Sequence, residues 1–121
     1  IDVVMGLGIN LFGHNPPFIK AALLEQLEEG IQIGPQIELA GKVAELISEM
    51  TGMERVTFSN TGTEAVMTAI RIARAATKRY KIVMFSGSYH GHFDGTLVKV
   101  RELDGKLQTV PLTCGVPQSI V

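Results

Sequence analysis

The sequence has one cysteine, Cys114, no run of basic residues and no apolar stretch approaching the length of a membrane span. Each shortage removes a class of answer. A lone cysteine builds no internal disulfide framework and supplies none of the paired spacings of a zinc site. Eleven Lys and Arg stand against twelve Asp and Glu, a net charge of -1. No basic face is available for nucleic acid, so no nucleic-acid partner is expected. A bilayer span needs about 20 consecutive apolar residues, so no membrane partner is expected either. No basic start with a short apolar run opens the sequence. A reducing, cytoplasmic setting is the default expectation.

What is present suits a folded chain. Its 121 residues are 45% hydrophobic and 19% charged, enough to bury the core of about one domain. Ile1 opens an apolar run and Val121 lies in a stretch without a stop signal. The expectation is a piece of a larger protein; the alternative is a complete small domain with disordered ends.

Apolar periodicity and turn residues divide the chain. Val3 to Leu11 reads as a short strand with a bend at Gly6 and Gly8. Gly13 to Pro17, "GHNPP", reads as a turn, because two prolines exclude regular hydrogen bonding. Phe18 to Glu29 carries Ile19, Leu23 and Leu27 on one face and predicts a helix stopped at Gly30. "IQIGP" breaks the pattern. A second helix is expected over about Gln36 to Thr51, with Ala40, Val43, Ala44, Ile47 and Met50 as its stripe and Gly52 as its close.

Arg55 to Ser59 alternates and is β-branched, which predicts a strand. A third helix is expected over roughly Thr63 to Lys78. Lys81 to Phe85, "KIVMF", is a continuous apolar run and reads as a strand buried on both faces. A loop, "SGSYHGHFDG", follows from Ser86 to Gly95. Leu97 to Val100 fits strand or helix, Asp104-Gly105 is a turn, and the tail to Val121 reads mostly as loop. Alternating strands and helices predict an α/β fold with a parallel sheet. Ligands in such folds bind at the carboxyl ends of strands, where both Ser59–Glu64 and Ser86–Gly95 fall.

The stretch "SNTGTEA" from Ser59 to Ala65 suits an anion. The first amides of a helix have no intrahelical partner, and the helix dipole adds partial positive charge there. A phosphate answers both. Gly62 lets backbone approach an anion, and Thr61 and Thr63 add hydroxyl donors. Ala65, Ala69, Ala73 and Ala76 would let this helix pack closely on a sheet. The competing reading is an ordinary N-cap, because Thr61 followed by Glu64 fits the capping box. No Walker loop or dinucleotide fingerprint is present.

The loop admits three readings. His90, His92 and Asp94 form H-x-H-x-D, which could begin a zinc site and a zinc hydrolase, but further ligands are short: only a distant His14 remains. In the plainest reading the histidines cap backbone or face water. In the third, Tyr89 offers a flat aromatic face on which a planar cofactor stacks, with Gly87 and Gly91 giving room. Joined to a phosphate cradle, that describes a phosphorylated aromatic cofactor such as pyridoxal 5′-phosphate.

"INLFGHNPPFI", "SNTGTEAVMTAIRIARAAT" and "KIVMFSGSYHGHFDG" together resemble the class-III aminotransferases, pyridoxal-phosphate enzymes of fold type I. The resemblance covers most of the chain and thins after about Val100. It is similar in flavour to glutamate-1-semialdehyde aminomutases and to aminotransferase domains of polyketide and nonribosomal-peptide synthases. "IQIGPQIELAGKVAELISEMTGMERV" tilts it toward the synthase-embedded type.

The resemblance implies a partial large domain, a parallel-rich sheet with flanking helices, with residues 1–121 as its N-terminal part. Gly62 and Thr63, beside Thr61, would hold the cofactor phosphate. Tyr89 would stack on its ring, and His90 would lie nearby without an assigned role. The segment after Asp94 matches a loop that gates the site in aminomutase relatives. The Schiff-base lysine and the acidic partner of the pyridinium nitrogen lie later in the family. None of Lys20, Lys42, Lys78, Lys81, Lys99 and Lys106 sits in the family's lysine context, so no catalytic residue is expected here. The implied partners are a small-molecule amino donor and a carbonyl acceptor, a second copy of the parent protein in a homodimer, and for a synthase-embedded domain a carrier-bound substrate. A non-enzymatic assembly piece is the remaining alternative.

Overall fold

The computed structural model describes residues 1–32 and 37–121. The chain divides into two compact units, Ile1–Val56 and Thr57–Val121.

In the first unit, Asp2 organises the opening turn. Its Oδ1 accepts from the N–H of Val4 at 2.8 Å and of Met5 at 3.0 Å. Its Oδ2 lies 2.8 Å from His14 Nε2. Met5–Gly8 then forms a short 3-10 element in which Gly6 and Leu7 are left-handed, with φ of 59° and 58°. The strand expected over Val3 to Leu11 is therefore a turn. An aspartate bonding to backbone two and three residues on offers that backbone an alternative to a ladder.

Helix α1 runs Pro17–Glu29. Proline suits its first position, where its missing N–H has no partner to lose. Just ahead of it Phe12 meets Phe18 edge to face, ring centroids 5.4 Å apart. The helix stops at Gly30, whose φ of 103° favours glycine. Helix α2 runs Glu38–Thr51. Its expected start at Gln36 and most of "IQIGP" lie outside the described residues. Glu38 sits in the first turn, complements the helix dipole and pairs with Lys42 at 2.7 Å. Ala40, Ala44, Ile47 and Ser48 are its half-buried positions, a helical stripe close to the expected one. Gly52, left-handed at φ 72°, closes it.

The second unit is built around helix α3, Gly62–Thr77. After it Arg74 Nε donates to the carbonyl of Tyr80 at 2.9 Å. Strands β1 (Val98–Leu103) and β2 (Lys106–Pro111) form an antiparallel hairpin, with Leu103 opposite Lys106. Its connection is Asp104-Gly105, with φ of 52° and 72°. Positive φ at both positions matches the twist of a two-residue hairpin. The expected turn is there; β2, read as loop, is a strand. Leu97, 6% exposed, sits just before the hairpin and accepts from the N–H of Leu112 at 2.8 Å.

The two segments read as strands, Arg55–Ser59 and Lys81–Phe85, carry no ladder among the described residues. Nor is "KIVMF" buried: Val83 is 95% and Phe85 83% exposed. A strand exists only with a partner to take its N–H and C=O groups. The apolar run marks where a partner belongs without supplying one. Ala65, Ala69, Ala73 and Ala76 of α3 are likewise exposed, so the face read as sheet-packing is open. No described helix is long and apolar enough to cross a membrane.

Two measurements check these local devices. The Asp2 carboxyl is held below the ordinary aspartate range, chiefly by the Met5 N–H, then by that of Val4, with His14 adding least. A depressed carboxyl stabilises the turn above its ordinary value and stops doing so as pH falls through its folded value. The Val4 and Met5 amide resonances should therefore hold steady down to pH about 4, the ordinary aspartate value, and move only below it. Asp2→Asn should abolish that titration. Replacing Asp104-Gly105 by Ala-Ala adds a side chain at Gly105, where φ is positive, and removes at 104 a residue type that tolerates positive φ, at about 1–2 kcal/mol for the glycine position. Amide exchange across β1 and β2 should quicken about tenfold or more while α3 is unaffected.

Candidate functional site

The mouth of α3 is built by its cap. Thr61 is extended, and its Oγ1 accepts from the N–H of Glu64 at 3.2 Å. Glu64 Oε2 reaches back to accept from the N–H of Asn60 at 2.7 Å. This is a capping box displaced by one residue, since the box as usually drawn returns to the N-cap amide. The Ala65 N–H bonds to the Thr61 carbonyl at 3.1 Å. The N–H groups of Gly62 and Thr63 are left with no acceptor among the described residues. They stand side by side at the positive end of a 16-residue helix. The cap reading and the anion reading are thus compatible: Thr61 satisfies the third amide and leaves the first two open.

Gly62 and Gly91 differ in what requires them. A Cβ at Gly62 would meet nothing within 4 Å, and its backbone is ordinary. Neither packing nor conformation within the chain demands glycine there, and the space beside it is free for a ligand. Gly91 is buried, has φ of 95°, and a Cβ on it would lie 2.8 Å from Thr63 Oγ1 and 2.9 Å from Thr63 Cα. Real Cβ atoms do not approach that closely. The next amide, that of His92, donates to Thr63 Oγ1 at 3.0 Å. The glycine-rich loop is therefore seated on the first turn of α3, and Thr63 is the seat. This corrects the reading of Gly91 as room for a ring: its lack of a side chain is used by Thr63.

Thr96 secures the other end of the loop. Its side chain is 6% exposed, and its Oγ1 lies 2.9 Å from the Phe93 carbonyl and 3.4 Å from that of His90. Pattern reasoning missed Thr96; a threonine closing a glycine-rich loop was the available signal. Gly95 is tight for a related reason, since a Cβ would fall 2.6 Å from the Phe93 ring.

The expected site residues fall in two places. Thr61, Gly62 and Thr63 are consecutive at the helix mouth. Tyr89 and His90 precede Gly91 in the seated loop, so the Tyr89 backbone is at most about 7 Å from that of Gly91. The Tyr89 side chain is 73% exposed and His90 is half-buried. Tyr89 lines an open groove of about 550 Å³ whose walls include Phe85, Val98, Val100 and Leu112. Among the described residues no three His, Cys, Asp or Glu are grouped to hold a metal, so His90, His92 and Asp94 do not assemble a ligand set.

The family model for class-III aminotransferases matches residues 1–118. The chain belongs to the class-III aminotransferases. It is 47% identical over 100 residues to a glutamate-1-semialdehyde 2,1-aminomutase of Roseiflexus castenholzii, a match covering 82% of this chain and 23% of that protein. It is 42% identical over 120 residues to the same-named protein of Thermodesulfovibrio yellowstonii, covering 98% of this chain and 28% of the relative. Among solved structures, an omega-transaminase from Sphaerobacter thermophilus matches with a TM-score of 0.86 and 36% identity. That match covers 97% of this chain and 28% of the transaminase. The α/β fold-type-I class expected from the sequence stands on this match. The chain spans about a quarter of the length of these relatives.

The cap generates its own test. Thr61→Ala should weaken the first turn of α3 by about 1 kcal/mol, the usual worth of a threonine cap. Amide exchange at Glu64 should then rise about fivefold, and Thr61→Ser should restore it.

Proposed function

We propose that this chain is the N-terminal part of the cofactor-binding large domain of a pyridoxal-phosphate aminotransferase, and that the start of α3 holds the cofactor phosphate. The observation that carries the reading is the pair of amides at Gly62 and Thr63 that have no acceptor among the described residues, beside open space at Gly62, in a chain of this family. The donor set fits a phosphate. Two N–H groups point from a helix start, and the Thr61 and Thr63 hydroxyls each keep a proton after serving as acceptors.

In this reading Gly62 and Thr63 bind phosphate oxygens through their amides, and the two threonine hydroxyls add donors. Tyr89 supports the ring with its aromatic face, and the half-buried His90 lies close by without an assigned proton-transfer role. Bound there, pyridoxal phosphate supplies the electron sink that lets an amino group pass between a donor and a carbonyl acceptor. The anchoring lysine lies outside residues 1–121, so the isolated segment is inactive. The parent protein acts as a homodimer on small-molecule substrates, or on carrier-bound ones if it is embedded in a synthase. A free, exposed Cys114 suits a reducing cytoplasm.

A second reading rests on the relatives' names: the parent rearranges glutamate 1-semialdehyde as an aminomutase. The two separate cleanly. An aminomutase turns over the semialdehyde alone, whereas an aminotransferase requires both a donor and an acceptor.

Full-length protein incubated with pyridoxal phosphate should absorb at the visible edge, and borohydride should fix the cofactor to a lysine beyond Val121. A colourless full-length protein would sink the proposal. The isolated 121-residue chain should show no saturable cofactor binding. Gly62→Leu in the full-length protein should leave stability within about 0.5 kcal/mol. It should weaken cofactor binding about tenfold or more, as expected when charge-assisted bonds are displaced. Equal loss of stability and binding would count against Gly62 as a ligand contact.

A further inference from the structure

We infer that Thr63 couples the cradle to the loop: its hydroxyl joins the Tyr89-bearing loop to an anion at the start of α3, so that filling the cradle tightens the loop. The inference rests on the preceding reading, that the cradle holds the phosphate of pyridoxal phosphate.

A threonine hydroxyl has two lone pairs and one proton. In Thr63 one lone pair is taken by the His92 N–H at 3.0 Å. The proton has no acceptor among the described residues. The Thr63 N–H is open as well. The side chain therefore presents one filled valence to the loop and one unfilled valence to whatever occupies the helix mouth. Its orientation is restricted from the loop side, because Gly91 is packed against both Oγ1 and Cα. Rotating the hydroxyl away would break the His92 bond.

A helix cap needs none of this. Thr61 and Glu64 complete the cap between residues four or fewer apart. The Thr63–His92 bond spans 29 residues. It ties an anion-ready turn to an aromatic-bearing loop, two elements that a purely local cap would leave independent.

The coupling has a physical sign. An anion accepting the Thr63 proton polarises the O–H bond and makes the oxygen a better acceptor for the His92 amide. Occupancy of the cradle thus strengthens the loop's seat. By linkage the reverse holds, and a seated loop raises affinity for the anion by the same factor. Tyr89 and His90, two residues and one residue before Gly91, are held in place through this seat. Gly91 and Thr63 are positioning residues for them.

The test uses the full-length apoprotein and two probes, pyridoxal 5′-phosphate and its phosphate-free counterpart pyridoxal. The readout is hydrogen exchange at the His92 amide, with probe affinity measured in parallel. Pyridoxal phosphate should slow His92 exchange about tenfold, within the usual range of coupling between sites. Pyridoxal at equal occupancy should not. Thr63→Val keeps the side-chain shape and removes the hydroxyl. It should abolish the ligand-linked slowing and weaken pyridoxal phosphate about tenfold with little change for pyridoxal. Thr63→Ser should restore both. Equal slowing by the two probes, or full slowing in Thr63→Val, overturns the coupling. If Thr63→Val does not fold, the wild-type comparison of the two probes and the serine variant decide. Tight pyridoxal phosphate binding without slowing at His92 defeats the coupling alone, whereas no binding of either probe defeats the cofactor reading with it.

Discussion

The contact between Thr63 and Gly91 sets how the glycine-rich loop meets α3 in the second unit. A helix start and a glycine-rich loop, remote in sequence, meet so closely that a single added carbon on Gly91 would lie 2.9 Å from the Thr63 Cα. The His92 amide completes the junction. Once it is made, the loop has little freedom. Thr96 closes its far end through the carbonyls of Phe93 and His90, and Tyr89 and His90 lead directly into the junction at Gly91. The division of labour along "NTGTE" follows. Thr61 and Glu64 complete the cap, Thr63 seats the loop, and a Cβ at Gly62 would meet nothing within 4 Å.

The rest of the chain is dominated by surfaces without partners. None of α1, α2 or α3 contains a buried residue. The "KIVMF" segment leaves Val83 and Phe85 open and has no ladder among the described residues. These features agree with a chain that spans about a quarter of its relatives' length. Apolar side chains patterned for burial on two faces carry an unmet demand, at roughly 25 cal/mol for each Å² left in water. The hairpin of β1 and β2 satisfies itself, since both of its strands are close in sequence and joined by a turn with matching twist.

Much of the local structure is legible in the residues. Pro17 and Gly30 bracket α1, Gly52 closes α2, and Thr61 with Glu64 opens α3, because each acts within about four positions of the backbone groups it serves. Asp104-Gly105 announces its turn for the same reason. Where local reading failed, a different local group won or a distant one was needed. Val3 to Leu11 has the apolar content of a strand, yet the Asp2 carboxylate gathers two amides into a turn. At "RVTFS" and "KIVMF" the side chains point to a sheet, but pairing belongs to two segments at once, and no pattern within one of them supplies the other.

By itself the sequence determined where the three helices lie, the stops of α1 and α2, the hairpin turn, and membership of an aminotransferase family through three ordered motifs. These are matters of short-range backbone satisfaction and of residue identity. Only the tertiary structure decided that Gly91 is required by Thr63 rather than by a ring, that Thr96 is buried to lock the loop, and that two amides at the mouth of α3 find no acceptor among the described residues. Each of those depends on which groups meet across nearly thirty residues, or on which fail to find a mate. Bringing such groups together costs loop-closure entropy, which only contacts spread across the folded whole can offset.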